Sequence, residues 1–470
     1  MRNKLKSFGL VFVGLFAGVM LSLNFSAEAQ REPGRLSLPV EELRSFAEVF
    51  GAIKSGYVEA VPDKKLINGA INGMLSDLDP HSAYLDPEAF KELQVGTQGE
   101  FGGLGIEVGM EDGFVKVVSP IEDTPASRAG LKPGDLIIKL DDTPVKGMTL
   151  NDAVKKMRGK PKSPIRLTIL RKGEAKPFEV SLIREVIRVQ SVKSKMIEPG
   201  YGYVRVSQFQ EHTTENLVKH LNALYKDGPL RGFVLDLRND PGGLLNGAVG
   251  VSAVFLPPKS LVVSTDGRTE DAKRKFNASP EDYLRGTRED FLRSLPAGIK
   301  TVPMVVLVNG GSASASEIVA GALQDYKRAT VIGTTTFGKG SVQTILPLGN
   351  NTAIKLTTAR YYTPLGRSIQ AKGIVPDVEV EEPGASGTRM READLLKHLE
   401  NDKDATTKSI EKVAPGAAKA APKAEPQAEQ RAPIEPASVD DFQFQQAMNH
   451  LKGQPVVKAP PVKQAAVSVK

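Results

Sequence analysis

The chain contains no cysteine, and this absence excludes several kinds of chemistry. Disulfides, thiol nucleophiles, thiolate metal sites and lipid-modified cysteines all require a cysteine side chain. Histidine is also scarce, and the five residues are scattered along the 470-residue chain at positions His81, His212, His220, His398 and His450. Serine hydrolases commonly use a histidine base, and many carry the nucleophile in a G-x-S-x-G turn, which is absent here as well. A catalytic serine in this chain would therefore need another base.

A concentrated basic surface is also missing from the sequence. The formal net charge of +7 and the pI of about 9.2 are modest for a chain of this length. No basic helix and no strip of basic residues interleaved with aromatics marks a nucleic-acid site. We therefore expect no nucleic-acid partner. With 40% hydrophobic residues, the chain can form about three domains with their own cores.

Residues 1–29 predict a secretory signal peptide. Basic residues precede the apolar segment 8–25, and Ala27-Glu28-Ala29 has the A-x-A form of a cleavage site before Gln30. The apolar segment is also near the lower length limit of a membrane span, so an uncleaved inner-membrane anchor is the alternative. In both cases we expect the rest of the chain to be exported, which in a bacterium means the periplasm.

The stretch 309–343 contains the arrangement of residues that is most typical of catalysis. The apolar segment Val305–Val308 predicts a strand, and the apolar spacing after Ser316 predicts a helix, so small residues lie where a strand passes into a helix. Backbone N–H groups at a helix start are unpaired and can stabilise an anion. This position suits a nucleophilic serine, and the residue types alone leave Ser312, Ser314 and Ser316 as candidates.

Lys339 is the alternative base for such a serine. It lies between two glycines in the segment TFGKGSVQ. A lysine has a pKa near 10.4, so it accepts a proton at neutral pH only when burial disfavours its ammonium form. A phosphate-binding loop also combines glycines with lysine, but Gly340 stands where the pattern requires Ser or Thr. The structural alternative is that the serines merely start a helix and the lysine lies in a solvated turn.

Three motifs together resemble the carboxyl-terminal processing (tail-specific) protease family. They are LDLRNDPGG at Leu235–Gly243, NGGSASASE from Asn309 and FGKGSVQ from Phe337, in that order, and the resemblance spans residues 41–380. The family uses a Ser/Lys dyad and has an α/β protease core. Its spacing between nucleophile and lysine implies that Ser314 is the nucleophile.

The resemblance also implies a role for each residue of the site. Ser314 would attack the scissile carbonyl, Lys339 would take its proton, and Gln343 would orient the lysine. The backbone N–H groups of Ala315 and Gly243 would form the oxyanion hole. This mechanism needs no cofactor and no metal.

Residues 97–186 contain short apolar segments separated by glycine and proline turns, a pattern typical of strands. With the segment AGLKPGDLI, they resemble a PDZ domain of the bacterial protease kind, a small β-barrel with helices. The resemblance implies that one loop captures a peptide carboxylate with its backbone N–H groups, and that the next strand pairs with the peptide. This loop consists of Gly103, Leu104, Gly105 and Ile106. The expected ligand is a protein C-terminus with an apolar last side chain.

The segment SDLDPHSAYLDPEAF places Asp77, Asp79 and Asp86 around His81. These residue types can bind a metal, but the segment lacks the glycine and the closing glutamate of a calcium loop. We therefore expect helix caps and turns here, and no metal site.

Arg238 follows an apolar segment that predicts a strand of the core. The strand, helix and strand spacing over residues 202–237 predicts parallel pairing, which places Arg238 at the carboxyl end of the sheet beside the glycine loop. An arginine there can clamp a substrate carboxylate or hold the loop by an ion pair. We expect the ion pair, with Asp325 or Glu317 as the partner.

These patterns predict a multidomain α/β chain. Its segments are a signal peptide at 1–29, an N-terminal helical region at 38–96, a PDZ domain at 97–186, a protease core at 190–382 and a linker with a low-complexity tail at 383–470. Within the core, residues 257–300 are polar without a period, and we interpret them as an insertion that forms a lid or strap. The Ala/Pro-rich tail predicts disorder. A short helix at 440–451 is expected to dock on a second subunit or another protein.

The combined prediction is an exported serine endopeptidase that recognises unstructured protein C-termini through its PDZ domain. Its partners would be protein substrates with apolar tails, and relatives in the resembled family imply a homo-oligomer. Two alternatives remain open. The enzyme is latent until a substrate tail or an adaptor protein binds, or the chain is a PDZ scaffold with an inactive protease fold.

Overall fold

The structure is a computed structural model, and it describes residues 38–121, 123–174, 176–188, 190–286, 289–381, 390–403 and 435–459. The predicted signal peptide at 1–29 and most of the predicted linker and tail lie outside the described residues. No helix within the described ranges is long and apolar enough to cross a membrane. The chain divides into two compact units, Met1–Ala70 and Ile71–Lys470.

The described chain contains both helices and strands. The α-helices are α1 (Val40–Gly56), α2 (Asp63–Ser76), α3 (Pro87–Gln98), α4 (Pro125–Arg128), α5 (Leu150–Met157), α6 (Thr213–Leu224), α7 (Leu245–Phe255), α8 (Pro280–Tyr283), α9 (Ala315–Asp325) and α10 (Phe442–Leu451). The strands are β1 (Ala83–Leu85), β2 (Glu100–Gly103), β3 (Ile106–Glu111), β4 (Phe114–Pro120), β5 (Leu136–Leu140), β6 (Thr143–Pro144), β7 (Pro164–Leu170), β8 (Phe178–Ile183), β9 (Glu185–Arg188), β10 (Val192–Glu198), β11 (Tyr201–Val206), β12 (Gly232–Asp236), β13 (Leu261–Gly267), β14 (Arg274–Asn277), β15 (Met304–Val308), β16 (Thr330–Gly333), β17 (Ser341–Pro347), β18 (Ala353–Tyr362) and β19 (Val378–Glu379).

The first unit contains α1 and the start of α2, so the predicted helical N-terminal region is confirmed. Apolar residues recur along α1 at helical spacing, and Leu43, Phe46 and Val49 on it are exposed. Lys54 near the end of α1 forms an ion pair of 2.9 Å with Asp63 at the start of α2. Because both side chains are exposed, this pair contributes at most about 1 kcal/mol.

The predicted PDZ barrel is confirmed and is built on a sheet with the strand order β3-β4-β5-β7-β8, to which β6 adds beside β5. Alternate residues of β7, Ile165, Leu167 and Ile169, are buried, as expected of a strand with one face on a core. Helix α5 begins with a capping box between Thr149 and Asp152. Strand β3 forms one edge of the sheet, which leaves its outer side available for pairing with a further strand.

The protease core is a six-stranded sheet with the order β10-β11-β12-β15-β16-β19. The strands from β11 to β19 in this order pair in parallel, as the sequence predicts. Every residue of β12 and β15 is buried, which is typical of a parallel sheet covered on both faces. Helices α6, α7 and α9 share one apolar cluster with Phe233, Leu235 and Val306, so they cover one face. The carboxyl ends of β12 and β15 therefore meet at one edge of the sheet.

Helix α10 covers the opposite face of this sheet. Its residues Phe444, Ala447 and Met448 lie in one apolar cluster with Val305 and Leu307 of β15. This cluster is separate from the one that contains helices α6, α7 and α9. The sequence correctly predicts a helix here, but the expectation that it docks on a second subunit or another protein is wrong. The helix packs on the core of its own chain, because that face of the sheet is apolar and would otherwise be exposed to water.

A second sheet has the order β1-β18-β13-β14, with β17 also on β18. It contains part of the segment 257–300, which the sequence predicts to be a polar insertion. Strand β13 pairs with β18, and its residues Val262 and Val263 are fully buried. The interpretation therefore needs correction for β13, which belongs to the core even though polar residues follow it.

Candidate active site

The turn between β15 and α9 places Ser314 at the N-cap of a helix. This residue has φ 55° and ψ −110° and is 9% exposed. A non-glycine residue in such a conformation stores strain on the order of 1–3 kcal/mol. The other two candidate serines are engaged in the structure, because Ser312 Oγ donates to the Leu237 carbonyl at 2.7 Å and Ser316 Oγ donates to the Asp240 carbonyl at 2.9 Å. The geometry therefore favours Ser314 among the three.

Glu317 connects the Ser314 turn to the loop that carries Lys339. Its carboxylate is fully buried and accepts the Ser314 N–H at 2.7 Å and the Lys339 N–H at 2.9 Å on the same oxygen, Oε2. The other oxygen accepts Thr336 Oγ1 at 2.5 Å and the Gly338 N–H at 2.7 Å. Burial raises the pKa of Glu317 to about 7, and these hydrogen bonds oppose that effect. One buried side chain thus fixes the relative position of the two predicted dyad residues.

The Lys339 side chain is half-buried, and its surroundings suit a base. Burial is the largest effect and lowers the pKa of Lys339, and the charge of Lys355 lowers it further. The carboxylates of Glu392, Glu317 and Asp79 act in the opposite direction, and the net pKa remains below the ordinary lysine value. A depressed pKa increases the fraction of neutral amine that can accept a proton at neutral pH.

Gln343 lies on β17, close in sequence to Lys339. Its amide Nε2 donates to Ser341 Oγ at 3.0 Å and to Thr357 Oγ1 at 3.3 Å. Thr357 Oγ1 in turn donates to Asp79 Oδ1 at 3.1 Å. These contacts fix the Gln343 side chain within a polar network, and its role in orienting Lys339 stays a prediction.

The glycine loop after β12 lies directly against the Ser314 turn. Gly242 has φ 96°, and a Cβ there would lie 2.7 Å from the Ala313 carbonyl oxygen and 2.9 Å from Ser314 Cβ. Gly243 has φ 145°, and a Cβ there would lie 2.1 Å from the Phe209 carbonyl oxygen. Only glycine fits either position without displacing backbone. The loop with the predicted oxyanion donor Gly243 is thereby brought close to the nucleophile turn.

Asp240 joins the same loop to the helix of the nucleophile. Its carbonyl accepts the Ala313 N–H at 3.0 Å, and its carboxylate oxygen Oδ1 accepts the Gly242 N–H at 2.8 Å. Burial raises the pKa of Asp240 to about 8. The predicted donor Ala315 is the first residue of α9, where backbone N–H groups point out of the helix.

Arg238 forms ion pairs, but with different partners from those expected. Its guanidinium donates to Asp236 at 2.7 Å and to Asp441, just before α10, at 2.6 Å. The expected partners are engaged elsewhere, since Asp325 pairs with Arg367 and Glu317 accepts the hydrogen bonds of the nucleophile turn. The structural role of Arg238 is supported, and the choice of Asp325 or Glu317 is wrong.

The predicted carboxylate loop of the PDZ domain borders an apolar groove of about 80 Å³ between β3 and α5. The groove is lined by Phe101, Gly103, Leu104, Gly105, Ile106, Val108, Val154, Met157 and Arg158. The carbonyl of Leu104 accepts the Ala126 N–H at 3.0 Å, and the carbonyl of Gly105 accepts the Ile121 N–H at 2.8 Å. These bonds turn the carbonyls of the loop toward the domain. The opposite sides of its peptide units, with the N–H groups, can then face a ligand.

The acidic segment around His81 forms caps and turns. Asp86 is the N-cap of α3 and accepts the Ala89 N–H at 2.8 Å. Asp79 accepts the N–H groups of His81 at 2.8 Å and Ser82 at 2.9 Å. These carboxylates therefore form a helix cap and a turn, as the sequence predicts, and Asp79 also accepts Thr357 Oγ1 of β18.

The central role of Glu317 is absent from the predictions made from the sequence. A signal was available, because Ser314 and Glu317 have the spacing of a capping box, S-x-x-E, and the Ser314 N–H donates to the Glu317 carboxylate at 2.7 Å. That pattern predicts a carboxylate returning to the backbone of the serine. It does not predict that the same carboxylate also accepts the N–H of Lys339, which lies in a different segment of the chain.

Family models match three parts of the chain. Residues 200–380 match peptidase family S41, residues 102–182 match the PDZ domain, and residues 16–89 match the activating protease CtpB N-terminal domain.

Full-length relatives match most of the chain. A carboxy-terminal-processing protease of Bartonella bacilliformis is 48% identical over 371 residues, covering 78% of this chain and 82% of the relative. The carboxy-terminal processing protease CtpA of Bacillus subtilis is 35% identical over 388 residues, covering 82% of this chain and 78% of the relative. Among solved structures, a photosystem II D1 C-terminal processing protease has 31% identity and a TM-score of 0.41, with 72% of this chain and 92% of that chain covered.

Proposed function

The chain belongs to peptidase family S41 as a carboxy-terminal processing protease with a PDZ domain, and from this membership we propose how it cleaves and what it recognises. The resemblance drawn from the sequence motifs is confirmed by these matches, and so is the prediction of a serine-type peptidase. The mechanism, the substrate and the location given below are proposals.

We propose that Ser314 and Lys339 form a catalytic dyad. Neutral Lys339 Nζ takes the proton of Ser314 Oγ as the oxygen attacks the scissile carbonyl carbon. The tetrahedral oxyanion is stabilised by the N–H groups of Ala315 and Gly243, a contribution of roughly 3 kcal/mol per donor in other hydrolases. Lys339 then returns the proton to the leaving amine, and water resolves the acyl-enzyme by the same steps in reverse order. This sequence of steps uses no cofactor.

The observation that carries this proposal is the shared contact with Glu317. The Ser314 turn and the Lys339 loop come from separate motifs, yet their backbone N–H groups meet on one buried carboxylate oxygen at 2.7 Å and 2.9 Å. The lowered pKa of Lys339 and the engagement of Ser312 and Ser316 in other hydrogen bonds support the same assignment. Gln343 is proposed to orient Lys339 through its own network.

Substrates are proposed to be proteins with unstructured C-termini that end in an apolar residue. The tail would add as a strand to the free edge of β3, with its carboxylate at the loop Gly103–Ile106. The groove of about 80 Å³ supports a small last side chain. Because the groove is largely apolar and its charged lining residue is Arg158, a basic last residue would be desolvated without a partner.

The protein is proposed to act in the periplasm, delivered by the signal at residues 1–29, either cleaved or retained as an inner-membrane anchor. A homo-oligomer is proposed as its working form, and an adaptor protein as a further partner. The exposed apolar side chains of α1, among them Leu43, Phe46 and Val49, support a contact of this kind.

The test is digestion of an unfolded protein with an apolar C-terminus by the mature chain, beside Ser314→Ala and Lys339→Ala. We expect the wild type to cut and both variants to lose at least about 1,000-fold in rate while keeping their circular dichroism spectra. Chelation by EDTA is expected to leave the rate unchanged. Undiminished cleavage by Ser314→Ala would overturn the assignment of the nucleophile. If all three proteins are inactive, the enzyme is latent or a scaffold, and activity is then sought with an adaptor present.

A further inference from the structure

The short loop that carries Lys339 lies beside a second buried carboxylate. This carboxylate is Glu392, which lies in the 3-10 turn Glu392–Asp394, beyond the residues 200–380 that match the peptidase family. Its side chain is fully buried. A buried carboxylate is costly unless it is hydrogen-bonded or paired, so its partners indicate why it is there.

Glu392 contacts one end of the Lys339 loop directly and the other end through Gln370. The Glu392 N–H donates to the Phe337 carbonyl at 3.1 Å. Its carboxylate accepts Gln370 Nε2 at 2.9 Å, and Gln370 Oε1 accepts the Gly340 N–H at 3.0 Å. Glu317 accepts the N–H groups of the two residues between these points, Gly338 and Lys339. Each residue from Phe337 to Gly340 is therefore bound to Glu317, to Glu392 or to Gln370, the partner of Glu392.

A histidine from the other end of the chain completes the arrangement. His81 Nε2 lies 2.8 Å from Glu392 Oε2 and 3.0 Å from Glu392 Oε1. The backbone of His81 is itself fixed, because the backbone N–H of His81 donates to Asp79 Oδ1. Burial alone would raise the pKa of Glu392, but the hydrogen bonds from His81 and Gln370 outweigh burial and hold the pKa below its usual value. Glu392 is therefore ionised at neutral pH.

We propose that Glu392, supported by His81 and Gln370, is a positioning residue for Lys339 that fixes the lysine loop and contributes negative charge to its surroundings. The inference rests on the proposed role of Lys339 as the base. It assigns a function in the reaction to two segments outside the peptidase match, the turn around His81 and the turn at Glu392.

The charge of Glu392 should affect the pH dependence of cleavage. The charged groups that act on Lys339 are Lys355 on β18, Glu317 on α9, Asp79 before β1, and Glu392. Glu392 stabilises the ammonium form, so its neutralisation lowers the pKa of Lys339 and leaves more neutral amine at lower pH. In Glu392→Gln, the acidic side of the pH profile of kcat/KM, where activity rises with pH, should move to lower pH by roughly half to one unit. The rate at the plateau should also fall, because the loop is less firmly held.

The matched control is Asp402→Asn, which removes a carboxylate from the same C-terminal segment. Asp402 accepts Tyr362 Oη at 2.6 Å and Ser368 Oγ at 3.2 Å, and it is not among the groups that act on Lys339. Its loss weakens the packing of the segment without changing the charge at the lysine. In this control we expect the kcat/KM at the plateau of the pH profile to change, and the acidic side of the profile to stay at the same pH.

A second measurement separates this inference from the proposed mechanism. In a Ser314→Ala background, competitive acetylation of Lys339 at a series of pH values, read by mass spectrometry, reports the lysine pKa without turnover. The midpoint is expected to fall in Glu392→Gln and to stay unchanged in Asp402→Asn. If Lys339→Ala abolishes cleavage but Glu392→Gln moves neither the midpoint nor the acidic side of the pH profile, the positioning role is refuted and the dyad stands. If Lys339→Ala remains active, the dyad itself is wrong. Should Glu392→Gln fail to fold, His81→Ala provides a second test. It removes a hydrogen bond that keeps Glu392 ionised, so the midpoint should again fall.

Discussion

Two kinds of residue shape the candidate site, buried carboxylates and glycines. Glu317 accepts the backbone N–H groups of Ser314 and Lys339, and Glu392 contacts the lysine loop through its own N–H and through Gln370. The effect of both residues on the chemistry is therefore indirect. Gly242 and Gly243 matter because they have no side chain, since a Cβ at either position would collide with backbone atoms. Both kinds of residue fix distances between segments, and rate depends steeply on such distances.

The substitution Gly242→Ala tests the close approach of the loop to Ser314. Its Cβ would collide with the Ala313 carbonyl at 2.7 Å, and the loop would have to move away from the nucleophile turn. We expect kcat/KM to fall about 100-fold. Gly366→Ala is the control, because Gly366 also has a positive φ, 77°, but no atom lies within 4 Å of the position that its new methyl group would take. A rate for Gly242→Ala as high as that of Gly366→Ala would show that the close approach of the loop does not determine the rate.

At the scale of the element, the PDZ groove depends on how β3 and α5 face each other. Strand β3 is an edge of its sheet, and α5 supplies Val154 and Met157 to the opposite wall. The helix is fixed by its capping box and by the burial of Ala153 and Met157. A peptide that pairs with β3 would therefore have its side chains directed onto a preformed apolar surface.

A charge on this wall should disrupt the binding of tails. Val154→Asp places a carboxylate in the groove, where it repels the carboxylate of a peptide C-terminus and removes apolar contact. We expect the Kd of a labelled peptide with an apolar C-terminus to rise about 10-fold or more, measured by fluorescence anisotropy. Asn151→Asp adds the same charge at an exposed position of α5 and should leave Kd nearly unchanged. Equal binding by both variants would argue that tails bind elsewhere.

At the scale of the whole molecule, the C-terminal segment completes the protease core. Helix α10 buries Phe444 against the sheet, and Tyr203 and Phe444 meet edge to face with ring centres 5.5 Å apart. Asp441 pairs with Arg238, which precedes the glycine loop of the site. The end of the chain is thus joined to the loop that approaches the nucleophile.

Removal of this ion pair should destabilise the core. Asp441→Ala leaves Arg238 buried with Asp236 as its remaining carboxylate partner, and we expect the free energy of unfolding to fall by about 3 kcal/mol. Asp440→Ala removes an exposed neighbouring carboxylate and should change it by less than about 0.5 kcal/mol. Urea denaturation of the two variants measures the difference. Equal stability would mean that Asp236 alone satisfies the guanidinium.

Much of this architecture follows from local sequence patterns. Apolar periodicity predicts the parallel strands, the helix behind Ser314 and the C-terminal helix, because it records which face of each element is buried. Glycine and small residues mark the loops that must approach closely, and the spacing of Ser314 and Lys339 matches one family. These features are encoded within short stretches, so the sequence by itself determines them.

The partners of the buried polar groups were decided only by the tertiary structure. His81 and Glu392 are separated by 311 positions, and Arg238 and Asp441 by 203, so no local pattern relates them. The face on which α10 docks also depends on which apolar surface of the sheet the other helices leave uncovered. Periodicity shows that a residue is buried. Which distant residue it then meets is set by strand order, register and the path of the loops.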